Sequence, residues 1–167
     1  MHLKALQKLN ADLEISNMKI LLDLNQTLVD REKDAPRIRP FELQIEQETY
    51  RQWLVELIRN EYVILITARP TKYKQATLDK IKQLTNWQPQ EAYFAEIRSY
   101  PHNKKKHLID KYLAKRLKDE EFFGIESNPK TRAIYRRYGI DSAPAITDNN
   151  ERIFIDYDPI SDGEERV

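Results

Sequence analysis

The sequence predicts an α/β fold with a central, mainly parallel sheet and helices on both faces. Short apolar runs alternate with amphipathic stretches, the pattern of strand–helix–strand units. Three of those runs, ending at Leu22, Ile66 and Ile125, are each followed at once by Asp23, Thr67 or Glu126. The 167 residues are 40% apolar and 33% charged with only 3 Gly, which suits one globular core and neither a low-complexity nor a collagen-like chain.

Leu3, Leu6, Leu9 and Leu13 recur at helical spacing and predict an N-terminal helix over residues 1–17. Met18 to Asp23 reads as a buried strand ending on an acid, followed by a polar turn at Asn25-Gln26-Thr27. Residues 30–40 are charged, hold two prolines and read as a loop. Tyr50, Trp53, Leu54, Leu57 and Ile58 share one face of a helix expected over 43–60, and Tyr62 to Ile66 is the second strand. Pro70 suits the first position of a helix that continues through Tyr73, Thr77, Ile81 and Leu84.

Ala92 to Ala95 is a third, weaker strand. Asn103 is the expected cap of a helix over 104–117 with Leu108, Ile109, Tyr112, Leu113 and Leu117 inward. Phe122 to Ile125 is the fourth strand, and a helix over 129–138 stops at Gly139. Pro144-Ala145-Ile146 and Ile153-Phe154-Ile155 are expected as a fifth strand and a hairpin partner, turning at Asn149-Asn150. The organisation is one domain over 18–157, behind the helix of 1–17 and before an acidic tail at 158–167.

Lys and Arg total 28 against 27 Asp and Glu, a net charge of +1 that excludes a globally basic nucleic-acid coat but not a local basic face. With no Cys there is no disulfide, thiol nucleophile or Cys-ligated zinc. The apolar runs are too short to span a bilayer, and Met1-His2-Leu3-Lys4 lacks the apolar core of a signal peptide. The expectation is a cytoplasmic protein with no membrane partner; the oligomeric state is not legible.

In parallel sheets ligands sit at the carboxyl ends of strands, which singles out Asp23, Thr67 and Glu126. An Asp after a buried strand is costly to desolvate unless paired or metal-bound, and its carboxylate can serve as nucleophile or ligand. Thr67, Arg69 and the Lys104–Lys106 run supply a hydroxyl and cations for an anion such as phosphate. Two carboxylates with backbone oxygen suit Mg²⁺, a hard ion that keeps waters. Singly, each has a plainer reading: a turn-forming Asp, a structural Thr, a solvated lysine face. The set, in this order, points to phosphoryl chemistry.

Ile20-Leu21-Leu22-Asp23-Leu24-Asn25-Gln26-Thr27-Leu28 resembles the first motif of the haloacid dehalogenase (HAD) superfamily, an apolar strand followed by Asp-x-Asp-Gly-Thr. Ile64 to Thr67 is similar to its second motif, the lysines at 104–106 to its third, and Gly124-Ile125-Glu126-Ser127 stands where its fourth, acidic motif belongs. Within that superfamily Thr67-Ala68-Arg69, Pro70 to Tyr73 and Ile134 to Ile140 resemble the 3′-phosphatase domain of phage-type polynucleotide kinase. The resemblance covers residues 18–147 and implies a Rossmann-like HAD fold of the capless type.

It also implies roles. Asp23 attacks phosphorus, forming an aspartyl-phosphate. Asn25 gives its backbone carbonyl to Mg²⁺, and Glu126 ligates the ion directly or through water. Thr67 hydrogen-bonds the phosphoryl group and, with Ala68 and Arg69, contacts substrate. Lys104 or Lys105 balances its charge; helical phase favours Lys105, the polynucleotide-kinase likeness Lys104. Three positions depart from the pattern. Asn25 replaces the second Asp, the family's general acid and base, and an amide transfers no proton at neutral pH. Glu126-Ser127 replaces an acidic pair, and Gln26 a glycine that frees the turn.

Only residues 29–41 separate the first motif from the next helix, too few for a cap domain, so the expected site is open. That suits a phosphorylated polymer end, DNA or RNA, or a protein. Arg31, Lys33, Arg37, Arg39, Arg69, Lys72 and Lys74 are candidate cations around the opening, and Tyr73 and Tyr100 candidate stacking platforms. The function implied is a Mg²⁺-dependent phosphohydrolase. The alternative is an inactive relative that binds nucleic acid or a phosphorylated partner.

Overall fold

The computed structural model describes residues 18–146. The expected N-terminal helix, the second hairpin strand, the Asn149-Asn150 turn and the acidic tail lie outside those residues. Five strands form one parallel sheet in the order β3-β2-β1-β4-β5: β1 Lys19–Leu22, β2 Tyr62–Pro70, β3 Glu91–Ala95, β4 Phe122–Ile125 and β5 Asp141–Ala143. The helices between them are α1 Phe41–Glu46, α2 Gln52–Ile58, α3 Lys74–Thr85, α4 Pro101–Leu113 and α5 Pro129–Arg137. This is the expected Rossmann-like architecture, with helices on both faces.

Strand side chains alternate between the two faces. Ile20, Leu22, Val63, Leu65, Phe123 and Ile125 pack with Leu54, Val55 and Ile58 of α2 and Ile81 of α3. Leu21, Ile64 and Ile66 pack on the other face with Leu108, Ile109 and Leu113 of α4 and Ile134 and Tyr135 of α5. Because β1 is buried on both faces, it reads as an unbroken apolar run. The order reverses at β1: the chain leaves it toward β2 on one side and later returns to β4 on the other. The crevice of a doubly wound sheet opens where such connections diverge.

Several expectations are corrected. The helix over 43–60 is two helices. Between them Tyr50 bridges antiparallel to Val29, with Asp30 N donating to Thr49 O and Arg51 N to Leu28 O. Burial of Glu48 and Tyr50 in that break outweighs the helical continuity their spacing suggests. Pro70 does not open a helix: it ends β2 with extended backbone (ψ 149°), and a 3-10 turn, Thr71–Tyr73, precedes α3. On α3 Thr77, Ile81 and Thr85 turn inward while Leu84 is exposed. Helix α4 begins at Pro101 behind Tyr100, so Asn103 lies inside it. It ends at Leu113, which leaves Leu117 71% exposed. The fifth strand is Asp141–Ala143, just before the expected Pro144-Ala145-Ile146. Gly139, at φ 73°, closes α5 as expected.

Candidate functional site

The register β1 makes with both neighbours sets the site. Leu22 pairs with Leu65 and with Ile125, so Asp23, Ile66 and Glu126 emerge at one level of the sheet. Asp23 N donates to Ile125 O at 2.9 Å and Glu126 N to Ala143 O at 3.0 Å, which pins both carboxylates at the strand ends. After Asp23 the chain turns through Asn25 (φ −68°, ψ 134°) and Gln26 (φ 63°, ψ 5°), the dihedrals of a type II turn. Such a turn places its third residue at positive φ, where glycine is favoured, and Gln26 takes that position.

Asp23, Thr67, Lys105 and Glu126 are all buried. Lys105 stands between the two carboxylates. Its Nζ lies 2.8 Å from Asp23 Oδ1 and 2.8 Å from Glu126 Oε1, and donates to Ile66 O at 2.5 Å. The Glu126 contact lies outside hydrogen-bonding angles, so Oε1 is a buried oxygen without a hydrogen bond. Oε2 accepts the Asn128 amide at 3.0 Å. Asp23 Oδ2 accepts Thr27 Oγ1 at 2.8 Å and Ser127 Oγ at 2.9 Å, and Ser127 Oγ also lies 3.4 Å from Asn25 O. Thr67 Oγ1 accepts the Arg69 amide at 3.1 Å, which leaves its own proton free to donate.

Burial raises the Asp23 carboxyl. The Lys105 charge, with hydrogen bonds from Lys105, Glu126 and Thr27, outweighs it and holds Asp23 below the usual carboxylate range. Glu126 goes the other way. Burial and then the Asp23 charge push it up to about 8 against the pull of Lys105. The pair therefore separates into an ionised acid and a neutral one around one ammonium.

The three lysines of α4 diverge. Lys105 shares the inward stripe with Leu108, Ile109 and Leu113, as helical phase favours. Lys104 Nζ reaches the Ala68 carbonyl at 3.4 Å, and Lys106 faces solvent, paired with Asp110 at 2.5 Å. Arg69 is only 3% exposed. Its Nη2 donates to Glu48 Oε2 at 2.5 Å and Asn25 Oδ1 at 2.9 Å, and its Nη1 to Glu48 Oε1 at 3.1 Å and Thr77 Oγ1 at 2.9 Å. Phe41 lies beneath the guanidinium, 4.9 Å from its centre.

Of the candidate surface groups, Lys33, Arg37, Arg39, Lys72 and Lys74 are exposed. Tyr73 packs edge-on against Phe41 at 4.7 Å, while Tyr100 is 74% exposed beside His102. Sequence reasoning missed Thr27, Ser127 and Glu48 as members of the network. Thr27 was findable from its place four residues after Asp23 and Ser127 from its place next to Glu126. Glu48 left no signal, because it sits in what reads as continuous helix.

No family model matches the chain, and no curated protein matches it. A solved structure does: a chain of the Pnkp1/Rnl/Hen1 RNA repair complex superposes with a TM-score of 0.59 at 16% identity, over 78% of this chain and 43% of that one. The likeness is one of fold, and this chain corresponds to less than half of that protein.

Proposed function

We propose that the chain is a HAD-like, Mg²⁺-dependent phosphohydrolase that works through an aspartyl-phosphate at an open site. The observation that carries this reading is the placement of an ionised, hydroxyl-bonded Asp23 at the switch point of the sheet, with Lys105 against it and Glu126 behind. A carboxylate placed there and held deprotonated is a competent nucleophile. Asp23 attacks phosphorus, Lys105 balances the charge gathering on the phosphoryl oxygens, and the Thr67 hydroxyl donates to one of them.

The donor set fits a hard divalent ion. Asp23, the Asn25 carbonyl and Glu126 offer only oxygen, Ser127 Oγ already touches two of those groups, and Glu126 Oε1 is buried without a hydrogen bond. Bound there, Mg²⁺ would supply charge neutralisation to the phosphoryl group.

Phosphorylated nucleic-acid ends are the favoured substrates. The likeness to a chain of an RNA repair complex supports this, as does the exposed Tyr100 one turn before Lys104, a surface on which a base can stack. The test is Mg²⁺-dependent phosphate release from a panel of 3′-phosphorylated RNA and DNA ends, phosphomonoesters and acetyl phosphate, with Asp23→Asn as the control. Release that survives Asp23→Asn, or none from any substrate, overturns the proposal. One observation favours a second reading, a non-catalytic binder of phosphorylated ends: Asn25 stands in the general acid's position with its oxygen already held by Arg69. Tight binding of a phosphorylated end without turnover would establish it.

A further inference from the structure

The chain's charge is nearly balanced in sum but unevenly placed. The connections that leave the carboxyl ends of β2 and β3 carry no acid over residues 67–78 and 97–109. They present Lys72, Lys74 and Arg98 exposed and Lys104 half-buried at the rim, none of them in an ion pair among the described residues. The other cations there are taken: Arg69 by Glu48, Lys105 by Asp23 and Glu126, and Lys106 by Asp110. Glu96, which flanks the second connection, pairs with Lys111 at 2.8 Å. The two connections lie side by side, because β2 pairs with β3 and the Thr71–Tyr73 turn packs against β3. Lys104 joins them by reaching the Ala68 carbonyl at 3.4 Å. The other approaches to Asp23 differ. Over residues 30–42 acids alternate with the cations, and on the β4 side Arg132 is turned onto the Glu126 and Ser127 carbonyls.

Tyr100 adds a flat apolar surface to this face. Its ring is 74% exposed and lies within 10° of parallel to the His102 ring, 6.4 Å away. The amides of Asn103 and Lys104 each donate to the Tyr100 carbonyl at 3.0 Å, which fixes the backbone that bears the ring. Lys105, which faces Asp23, is five residues further on, about 7.5 Å along the helix axis. That matches about two steps of stacked bases at about 3.4 Å each.

We propose that the carboxyl ends of β2 and β3 form a track for single-stranded nucleic acid: Lys72, Lys74, Arg98 and Lys104 meet backbone phosphates, and Tyr100 stacks a base beyond the nucleotide nearest Asp23. The proposal rests on the phosphohydrolase reading only for where the strand ends. Exposed lysines alone attract any polyanion. The aromatic plane set among them selects a chain that carries bases, and the base must be unpaired to stack on it.

The experiment measures binding of fluorescein-labelled octauridine and octadeoxythymidine, both ending in a 3′-hydroxyl, to the full chain by anisotropy over a salt series. The expected slope of log affinity against log salt is about −3, from about −0.7 per phosphate contact. Replacing Lys72 and Lys74 together by Ala should make that slope shallower by about 1.4. Tyr100→Ala should weaken binding at least about fivefold with the slope unchanged, and Tyr100→Trp should keep it. Lys115 and Lys118, exposed in the α4–β4 connection, supply the control: their double Ala variant loses the same charge and should bind as wild type. Equal slopes for the two double variants, or wild-type affinity in Tyr100→Ala, overturn the track. So does polyglutamate that binds as tightly as the oligonucleotides, which would mark an acidic protein as the occupant. The expected shifts without phosphate release from any end leave the track standing and overturn the phosphohydrolase reading; release without the shifts does the reverse.

Discussion

Lys105 Nζ sits 2.8 Å from Asp23 Oδ1 and 2.8 Å from Glu126 Oε1, so one ammonium serves two buried acids from two different strands. Neither acid has any other cation within ion-pair distance among the described residues.

Removing that ammonium leaves the ionised Asp23 buried beside Glu126 without its cation. Lys105→Met should therefore cost about 3–5 kcal/mol of stability, the usual penalty for breaking a buried pair from one side. Lys104→Met, at the rim, should cost under about 1 kcal/mol. Urea unfolding of the two variants beside wild type checks the contrast, and similar midpoints would refute it.

The Glu126 carboxyl, pushed up to about 8 by burial and by Asp23, lies above its ordinary 4.5. The folded state thus favours the neutral acid. That contribution is complete below about pH 4.5 and is lost as pH rises toward about 8, so the metal-free protein should weaken across that window. A divalent ion needs the carboxylate ionised. Mg²⁺ affinity, measured calorimetrically, should rise by up to about tenfold per pH unit and level off above about pH 8. A flat affinity between pH 6 and 8 would exclude Glu126 as a ligand.

Among the described residues, Glu48 is the only carboxylate paired with Arg69. Glu48→Ala should destabilise by about 3–5 kcal/mol, and Glu48→Gln by less because the amide oxygen still accepts one hydrogen bond. Thermal unfolding of the two variants would show the order, and the reverse order would contradict the pairing.

Gln26 carries a side chain at φ 63°, where a Cβ is crowded. Gln26→Gly should relieve that strain and raise stability by about 1 kcal/mol. A lower denaturant midpoint for the variant would mean the side chain makes contacts that outweigh it.

The sequence by itself determined the order of strands and helices and the residue type at each strand end. Apolar runs such as Ile20-Leu21-Leu22 leave the chain little choice once both faces of a parallel sheet are covered. It also determined that Asp23 and Glu126 would each follow a buried strand, while the strand order that sets β2 and β4 on either side of β1 belongs to the tertiary structure. The choice between Lys104 and Lys105 was half legible: helical phase favoured Lys105, but only the packing of Leu108 and Ile109 on the sheet shows which face turns inward. The break at Gln47–Arg51 was not legible. Tyr50, Trp53, Leu54 and Ile58 keep helical spacing through it, and the gain that interrupts the helix is Glu48 meeting Arg69, 21 residues away. Only the tertiary structure decided that Arg69 faces Glu48 and Asn25. A charge buried far from water takes whatever partner the fold brings within reach, and that partner has no fixed separation along the chain.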